Sequence, residues 1–213
     1  MSRTPRAAAT PEETRARIIA VAEESFRRVG YAKTTVADIA QALEMSPANV
    51  YRFFPSKAAI NDAILMRMLS EIEELAWKQA RRSGPALDRI EMIGLETHRF
   101  CRNNCLHEQR LHDMVAAGFE ENWPSIKRFV ERFEAILEGV VREGLAAGEI
   151  VALEPAEITR AIKTMLAPFM HPVIIAQCAD DDLEGDLRRV MRMLRRAVAL
   201  PPPAGEGPAP SRT

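Results

Sequence analysis

The sequence predicts an all-α protein of about nine helices, and three observations carry that prediction. Apolar residues recur at helical spacing along almost the whole chain, as in Ile18, Ile19, Ala22, Phe26 and Val29. Capping and breaking residues, among them Gly30, Ser46-Pro47, Pro55-Ser56, Gly84-Pro85, Pro124 and Pro155, punctuate those stretches at lengths that suit helices. No two runs alternate between apolar and polar in the way a strand pair requires. Only residues 149–153 read as briefly extended, a connector between helices.

The first helix is expected over residues 11–29, with Gly30 ending it in a left-handed conformation. Thr35-Val36-Ala37-Asp38 opens a short second helix, because the Thr35 and Asp38 side chains can satisfy amides that the first turn leaves free. It ends near Leu43. Ser46 is a good N-cap and Pro47 suits the first helical position, so a third helix runs through Asn49, Val50 and Tyr51 to about Phe54. Pro55 closes it, and Ser56 caps a long fourth helix that starts at Lys57 and carries Ile60, Ile64, Met68, Ile72 and Leu75 near one face.

Two more helices are expected at about residues 87–103 and 108–118. A long one follows Trp123-Pro124, striped by Ile126, Phe129, Val130, Phe133, Leu137, Val140 and Val141. Pro155 opens the next, which carries Ile158, Ile162, Leu166 and Phe169; Pro168 and Pro172 remove two amide donors and predict a kink. Asp180 to Asp182 begin the last helix, in which Leu183, Leu187, Val190, Met191, Leu194 and Val198 repeat on one side. Its acidic start and Arg-rich end complement the helix dipole. Residues 200–213 hold five prolines and little apolar content, the composition of a disordered tail.

Composition narrows the class. The chain has 213 residues, 47% of them hydrophobic and 28% charged, as in an ordinary globular protein. No apolar run is long enough to span a membrane, and the N-terminus lacks the apolar core of a secretory signal, so a cytoplasmic location is expected. Three cysteines, Cys101, Cys105 and Cys178, are too few for a disulfide framework. The net charge of −1 conceals an asymmetry: the first sixty residues hold nine Lys/Arg against six Asp/Glu, the remainder twenty against twenty-four. A basic head on an acidic body is compatible with nucleic-acid binding.

Two short helices joined by a tight turn and preceded by a supporting helix are the parts of a helix-turn-helix. Ala40 supplies the small side chain needed where the helices cross, while Ile39, Leu43, Met45 and Val50 can close the miniature core. The second of the pair then presents Pro47, Ala48, Asn49 and Arg52, with Val50 and either Phe53 or Phe54 turned inward. This helix is nearly uncharged, so phosphate neutralisation falls to its flanks: Tyr51, Arg52, Lys57, the caps at Thr35, Ser46 and Ser56, and the arginines Arg3, Arg6, Arg15 and Arg17. Asn49 and Arg52 are the polar side chains best suited to base edges, and Ala48 suits a thymine methyl.

The runs Thr34-Thr35-Val36-Ala37-Asp38-Ile39-Ala40 and Met45-Ser46-Pro47-Ala48-Asn49-Val50-Tyr51-Arg52-Phe53-Phe54-Pro55-Ser56-Lys57 resemble the N-terminal domain of the tetracycline-repressor (TetR) family. The resemblance covers about residues 12–60 in detail. It implies that Tyr51 and Lys57 meet phosphates and that the residues before Tyr51 enter the major groove. Glu44 departs from the pattern, which commonly has glycine at the turn; a left-handed non-glycine costs roughly 1 kcal/mol. The implied organisation is an N-terminal arm over residues 1–11, a DNA-binding helix-turn-helix domain over 12–56, an effector-binding and dimerisation domain over 57–199, and the tail. The implied partners are double-stranded DNA, a second copy of the chain and an apolar small-molecule effector, with no membrane. The implied mechanism is that of a homodimeric repressor on a palindromic operator, released when the effector selects a conformer with misplaced recognition helices.

The body of the chain bears on the last two points. Ile162, Phe169, Val173, Leu183, Leu187, Val190, Met191 and Leu194 form more apolar surface on the final helices than one body hides, so they are assigned to a dimer interface. Trp77, His98, Cys101, Cys105, His112, Met114, Phe133 and Met165 are polar or soft groups in apolar surroundings and are the candidate lining of an effector pocket.

His98, Cys101, Cys105 and His112 would share one stripe of a continuous helix, and their donors suit zinc or copper. His112 lies too far along that helix from His98 to share an ion, and an i, i+4 disulfide between Cys101 and Cys105 fits an intact helix poorly. No metal and no cofactor is therefore assigned, and a metal- or redox-responsive regulator using His98, Cys101 and Cys105 is the alternative, beside a ligand-independent one. No phosphate-binding glycine loop, nucleophile elbow or zinc-hydrolase motif is present, and no enzymatic activity is expected.

Overall fold

The computed structural model describes residues 10–105, 124–151 and 153–198. Among them are nine helices: α1 (Pro11–Val29), α2 (Val36–Ala42), α3 (Pro47–Phe53), α4 (Lys57–Ala80), α5 (Ala86–Cys105), α6 (Pro124–Ala146), α7 (Pro155–Met170), α8 (Pro172–Gln177) and α9 (Leu183–Val198). The described residues contain no strand beyond an isolated bridge at Ile150. Most of the N-terminal arm, the helix expected at 108–118 and the proposed disordered tail lie outside the described residues.

Local chemistry accounts for the first four helix starts. Thr10 and Glu13 form a capping box at α1, Thr35 and Asp38 another at α2, and the Ser46 and Ser56 hydroxyls accept the amides of Asn49 and Ala59. Each such cap stabilises its helix by about 1 kcal/mol. The turn between α2 and α3 passes through Glu44 at φ 55°, the left-handed position the sequence implied. Gly30 departs from expectation. Its φ of 102° and ψ of 149° place it outside the left-handed helical well, in a mirror-extended region that only glycine holds without strain.

A single apolar core runs from the head into the body, joining Ile18, Phe26, Ile39 and Val50 through Ile60 and Ile64 to Ile90, Leu137, Leu166 and Leu187. Helix α4 packs on α1, α5 and α6 and so belongs to both halves. Where α5 meets α7 and α9, Gly94 lets the helices close: a Cβ there would lie 2.9 Å from Leu166 Cδ2 and 3.2 Å from Leu187 Cδ1.

The proline-bearing helix breaks later than its first proline suggests. Helix α7 continues through the exposed Pro168 and stops at His171, whose φ of −79° and ψ of 118° are extended. A residue preceding a proline is driven out of the helical region, and His171 precedes Pro172. The break denies the Phe169 carbonyl a helical donor, and His98 Nδ1–H on α5 donates to it at 2.7 Å.

The residues assigned to a dimer interface need correction. Ile162 and Leu187 are 0% exposed, and Phe169, Leu183, Met191 and Leu194 are also buried, all within this one chain. They face inward, onto the subunit's own core, because α9 lays its apolar stripe on α5 and α7. Val173 and Val190 are only half-buried, and Met193, 72% exposed, is the large apolar side chain that α9 turns outward.

Candidate nucleic-acid interface

Helices α2 and α3 cross over Ala40, which is fully buried with Ile39 and Val50. Phe54 rather than Phe53 is the aromatic that seals the base of this unit, at 1% exposure. With those positions turned inward, Pro47, Ala48, Tyr51 and Arg52 are exposed along α3, and Asn49 is half-buried beside them. Ser46 and Thr35 are exposed at the two helix starts. The Thr35 hydroxyl and amide both donate to Asp38 Oδ2, at 2.7 and 2.8 Å, while the Asp38 amide donates back to Thr35 Oγ1 at 3.1 Å. The Thr35 hydroxyl, and then its amide, hold the Asp38 carboxyl below its ordinary range.

Two cations that the sequence offered to phosphates are engaged within the head. Arg15 donates to the Phe53 carbonyl at 2.7 Å and lies 4.0 Å over the Phe54 ring, fastening α1 to the end of α3. Lys57 donates to the carbonyls of Tyr31 at 2.8 Å and Thr34 at 3.0 Å, and sits 4.4 Å over the Tyr31 ring. Sequence reasoning saw both as surface charges because a basic residue near a recognition helix has no sequence signal for a backbone partner. Arg17 and Arg52 are exposed on α1 and α3, while Arg3 and Arg6 lie outside the described residues.

The head is joined to the body by charge as well as by packing. Glu23 on α1, nearly buried, pairs with Arg27 on its own helix and with Arg67 on α4.

An apolar cavity of about 160 Å³ lies in the body. Its walls are Leu65, Met68, Leu69 and Ile72 of α4, Phe100, Cys101 and Asn104 of α5, Ile126, Phe129, Val130 and Phe133 of α6, and Lys163, Ala167, Met170, His171 and Pro172 around the break. Of the candidate pocket residues, Cys101 and Phe133 line it. Trp77 does not: it is 44% exposed, with Arg81 stacked 5.0 Å over its ring. His98 is fully buried but committed to Phe169, and Met165 lies outside the lining. His112, Met114 and the Cys105 side chain lie outside the described residues. The α4 face, Met170 and His171 were missed, since aliphatic core positions and cavity walls look alike in a sequence. Among the described residues no cluster of three His, Cys, Asp or Glu is placed to hold a metal ion, and no helix is long and apolar enough to cross a membrane.

Comparison with known proteins agrees with this arrangement. The chain is 34% identical over 83 residues to the HTH-type transcriptional regulator TtgR of Pseudomonas putida, a match covering 39% of this chain and 37% of that one. It therefore spans little more than a third of the length of that curated relative. Its fold resembles a transcriptional regulator from Cytophaga hutchinsonii, with TM-score 0.65, 18% identity, and 86% and 97% of the two chains covered. It likewise resembles a TetR/AcrR-family regulator from Thermobifida fusca, with TM-score 0.63, 23% identity, and 85% and 96% covered. Residues 18–64 match the family described as bacterial regulatory proteins, tetR family, and residues 86–191 match the tetracyclin repressor-like C-terminal domain. With its helix-turn-helix head and its helical body both matched, the chain belongs to the TetR family of transcriptional regulators.

Proposed function

We propose that the protein is a homodimeric repressor that grips a palindromic operator through α3 and lets go when a small molecule fills the cavity. The observation that carries this reading is the double membership of α4. Lys57 and Ile60 at its start are built into the DNA-binding head, while Leu65, Met68, Leu69 and Ile72 further along are cavity wall. A rigid helix shared in this way moves the head when the cavity changes shape. Tenfold weaker DNA binding requires only about 1.4 kcal/mol of preference for the released conformer.

Base reading is assigned to Asn49, Arg52 and Ala48, and phosphate contact to Tyr51, Arg52, the exposed Ser46 hydroxyl and the backbone amides of the first turn of α2, after Thr35. The second copy docks on the outward side of α7 and α9, where Met193 stands exposed beside the half-buried Val190. Two-fold symmetry then sets the recognition helices on successive major grooves.

The test is fluorescence anisotropy with DNA flanking the protein's own gene, at two salt concentrations and with random-sequence competitor. Salt-dependent binding that survives the competitor is expected. Binding abolished by the competitor for this DNA and for every site recovered by random-site selection overturns the reading.

A further inference from the structure

We infer that the cavity is built for a slender amphipathic anion, an unbranched alkyl chain ending in a carboxylate, with Lys163 as the group that receives the carboxylate. This rests on the cavity being the effector site, and it names the chemical class of that effector.

The shape argues for a chain. Lys163, Ala167 and Met170 line the cavity from one face of α7, with His171 just beyond its end, and seven residues of helix separate Lys163 from Met170 by about 10 Å. A space of 160 Å³ accommodates roughly ten water-sized groups, the heavy-atom content of a medium-length fatty acid rather than of a multi-ring molecule. Length with so little volume makes the space narrow.

The chemistry argues for one charged end. Among the described lining residues Lys163 carries the one permanent charge; Cys101, Asn104 and His171 are the other polar side chains, and the rest of the wall is Leu, Ile, Val, Phe, Met, Ala and Pro. Lys163 sits at a solvent edge, its side chain 29% exposed, and Val130, which also lines the cavity, is 39% exposed. A charged headgroup at that edge stays partly hydrated and escapes the full cost of burial. The Lys163 ammonium donates to Glu134 Oε2 at 2.5 Å, which occupies one of its three N–H groups. The other two can meet a carboxylate without breaking that pair. A cationic ligand finds no lining carboxylate, and a neutral chain leaves the two donors to water.

Isothermal titration calorimetry of the full chain with decanoate tests this, with decanol and decylamine as headgroup controls and octanoate and dodecanoate as length controls. Decanoate is expected to bind at least tenfold more tightly than either headgroup control. Lys163→Met should erase that preference, and decanol that still binds the variant shows that it is folded. Equal affinity for decanoate and decanol, tighter binding of decylamine, or a preference intact in Lys163→Met overturns the proposal, as does failure of every alkanoate to bind. Effect on operator affinity is read separately. Lys163-dependent decanoate binding that leaves operator affinity unchanged sustains the ligand class and defeats the effector reading.

Discussion

The Lys57 ammonium and the Tyr31 carbonyl lie 2.8 Å apart, tying the first residue of α4 to the loop between α1 and α2. The same ammonium reaches the Thr34 carbonyl, one residue before the α2 cap, and the Tyr31 ring beneath it packs edge-on against Phe26 at 5.2 Å. Lys57 thus holds three segments of the head in register.

Lys57→Met should therefore lower thermal stability by about 1–3 kcal/mol, the range for lost hydrogen bonds to a charged group. It should weaken operator binding through misplacement of α2, with the dependence on salt unaltered. A direct phosphate contact would instead reduce the salt slope by about 1. Anisotropy across a salt series, combined with thermal melts, separates the two: a reduced slope at unchanged stability refutes the internal role.

Asn49→Ala should relax base preference at particular operator positions while leaving affinity for random DNA unchanged, because Asn49 lies on the open side of α3 beside Pro47 and Ala48. Random-site selection with the variant checks this; an identical preferred site removes Asn49 from base reading.

Gly144→Ala should destabilise the body by about 1–3 kcal/mol through overpacking. The added Cβ would stand 2.6 Å from Ala86 Cβ and 2.8 Å from Ile150 Cδ1, and Ala86 at the start of α5 has no flexible side chain to move aside. Chemical denaturation of the two proteins measures the loss, and equal stability would mean that α5 and α6 separate freely.

Glu184 predicts a pH dependence. Its carboxylate accepts from Arg99 Nε at 3.0 Å and Nη2 at 2.7 Å, joining α9 to α5, and these bonds hold its pKa below the ordinary value of 4.5. A carboxyl lowered in the folded state contributes stability above its unfolded value, and the contribution disappears as the pH falls through the lowered folded value. Stability should decline on acidification below about 4.5, and Glu184→Gln should flatten that decline. Melting curves from neutral to acidic pH provide the measurement.

How far the sequence could be read depended on the range of the interaction. Thr35 with Asp38 and Ser46 with Pro47 act across three residues or fewer, so α2, α3 and the turn at Glu44 were legible with their boundaries. Periodicity identified the stripe of Leu187, Met191 and Leu194 but carries no information about which body covers it; the closeness of α5, permitted by Gly94, turned that stripe inward. Lys57 and Arg15 find their acceptors 26 and 38 residues away, beyond any local rule. The cavity was the least legible part, because a wall residue such as Leu69 has the same pattern as a core residue until the opposite wall is in place.

Pro172 shapes the molecule by subtraction. An alanine there would permit His171 to turn helical, and α7 and α8 would fuse into one rod whose Val173 amide claims the Phe169 carbonyl. His98 would then have to share that carbonyl, its only hydrogen-bond acceptor among the described residues, with a helical amide. The corner in this helix and the histidine opposite it thus meet at one carbonyl, and the far wall of the cavity is drawn by a donor that proline does not possess.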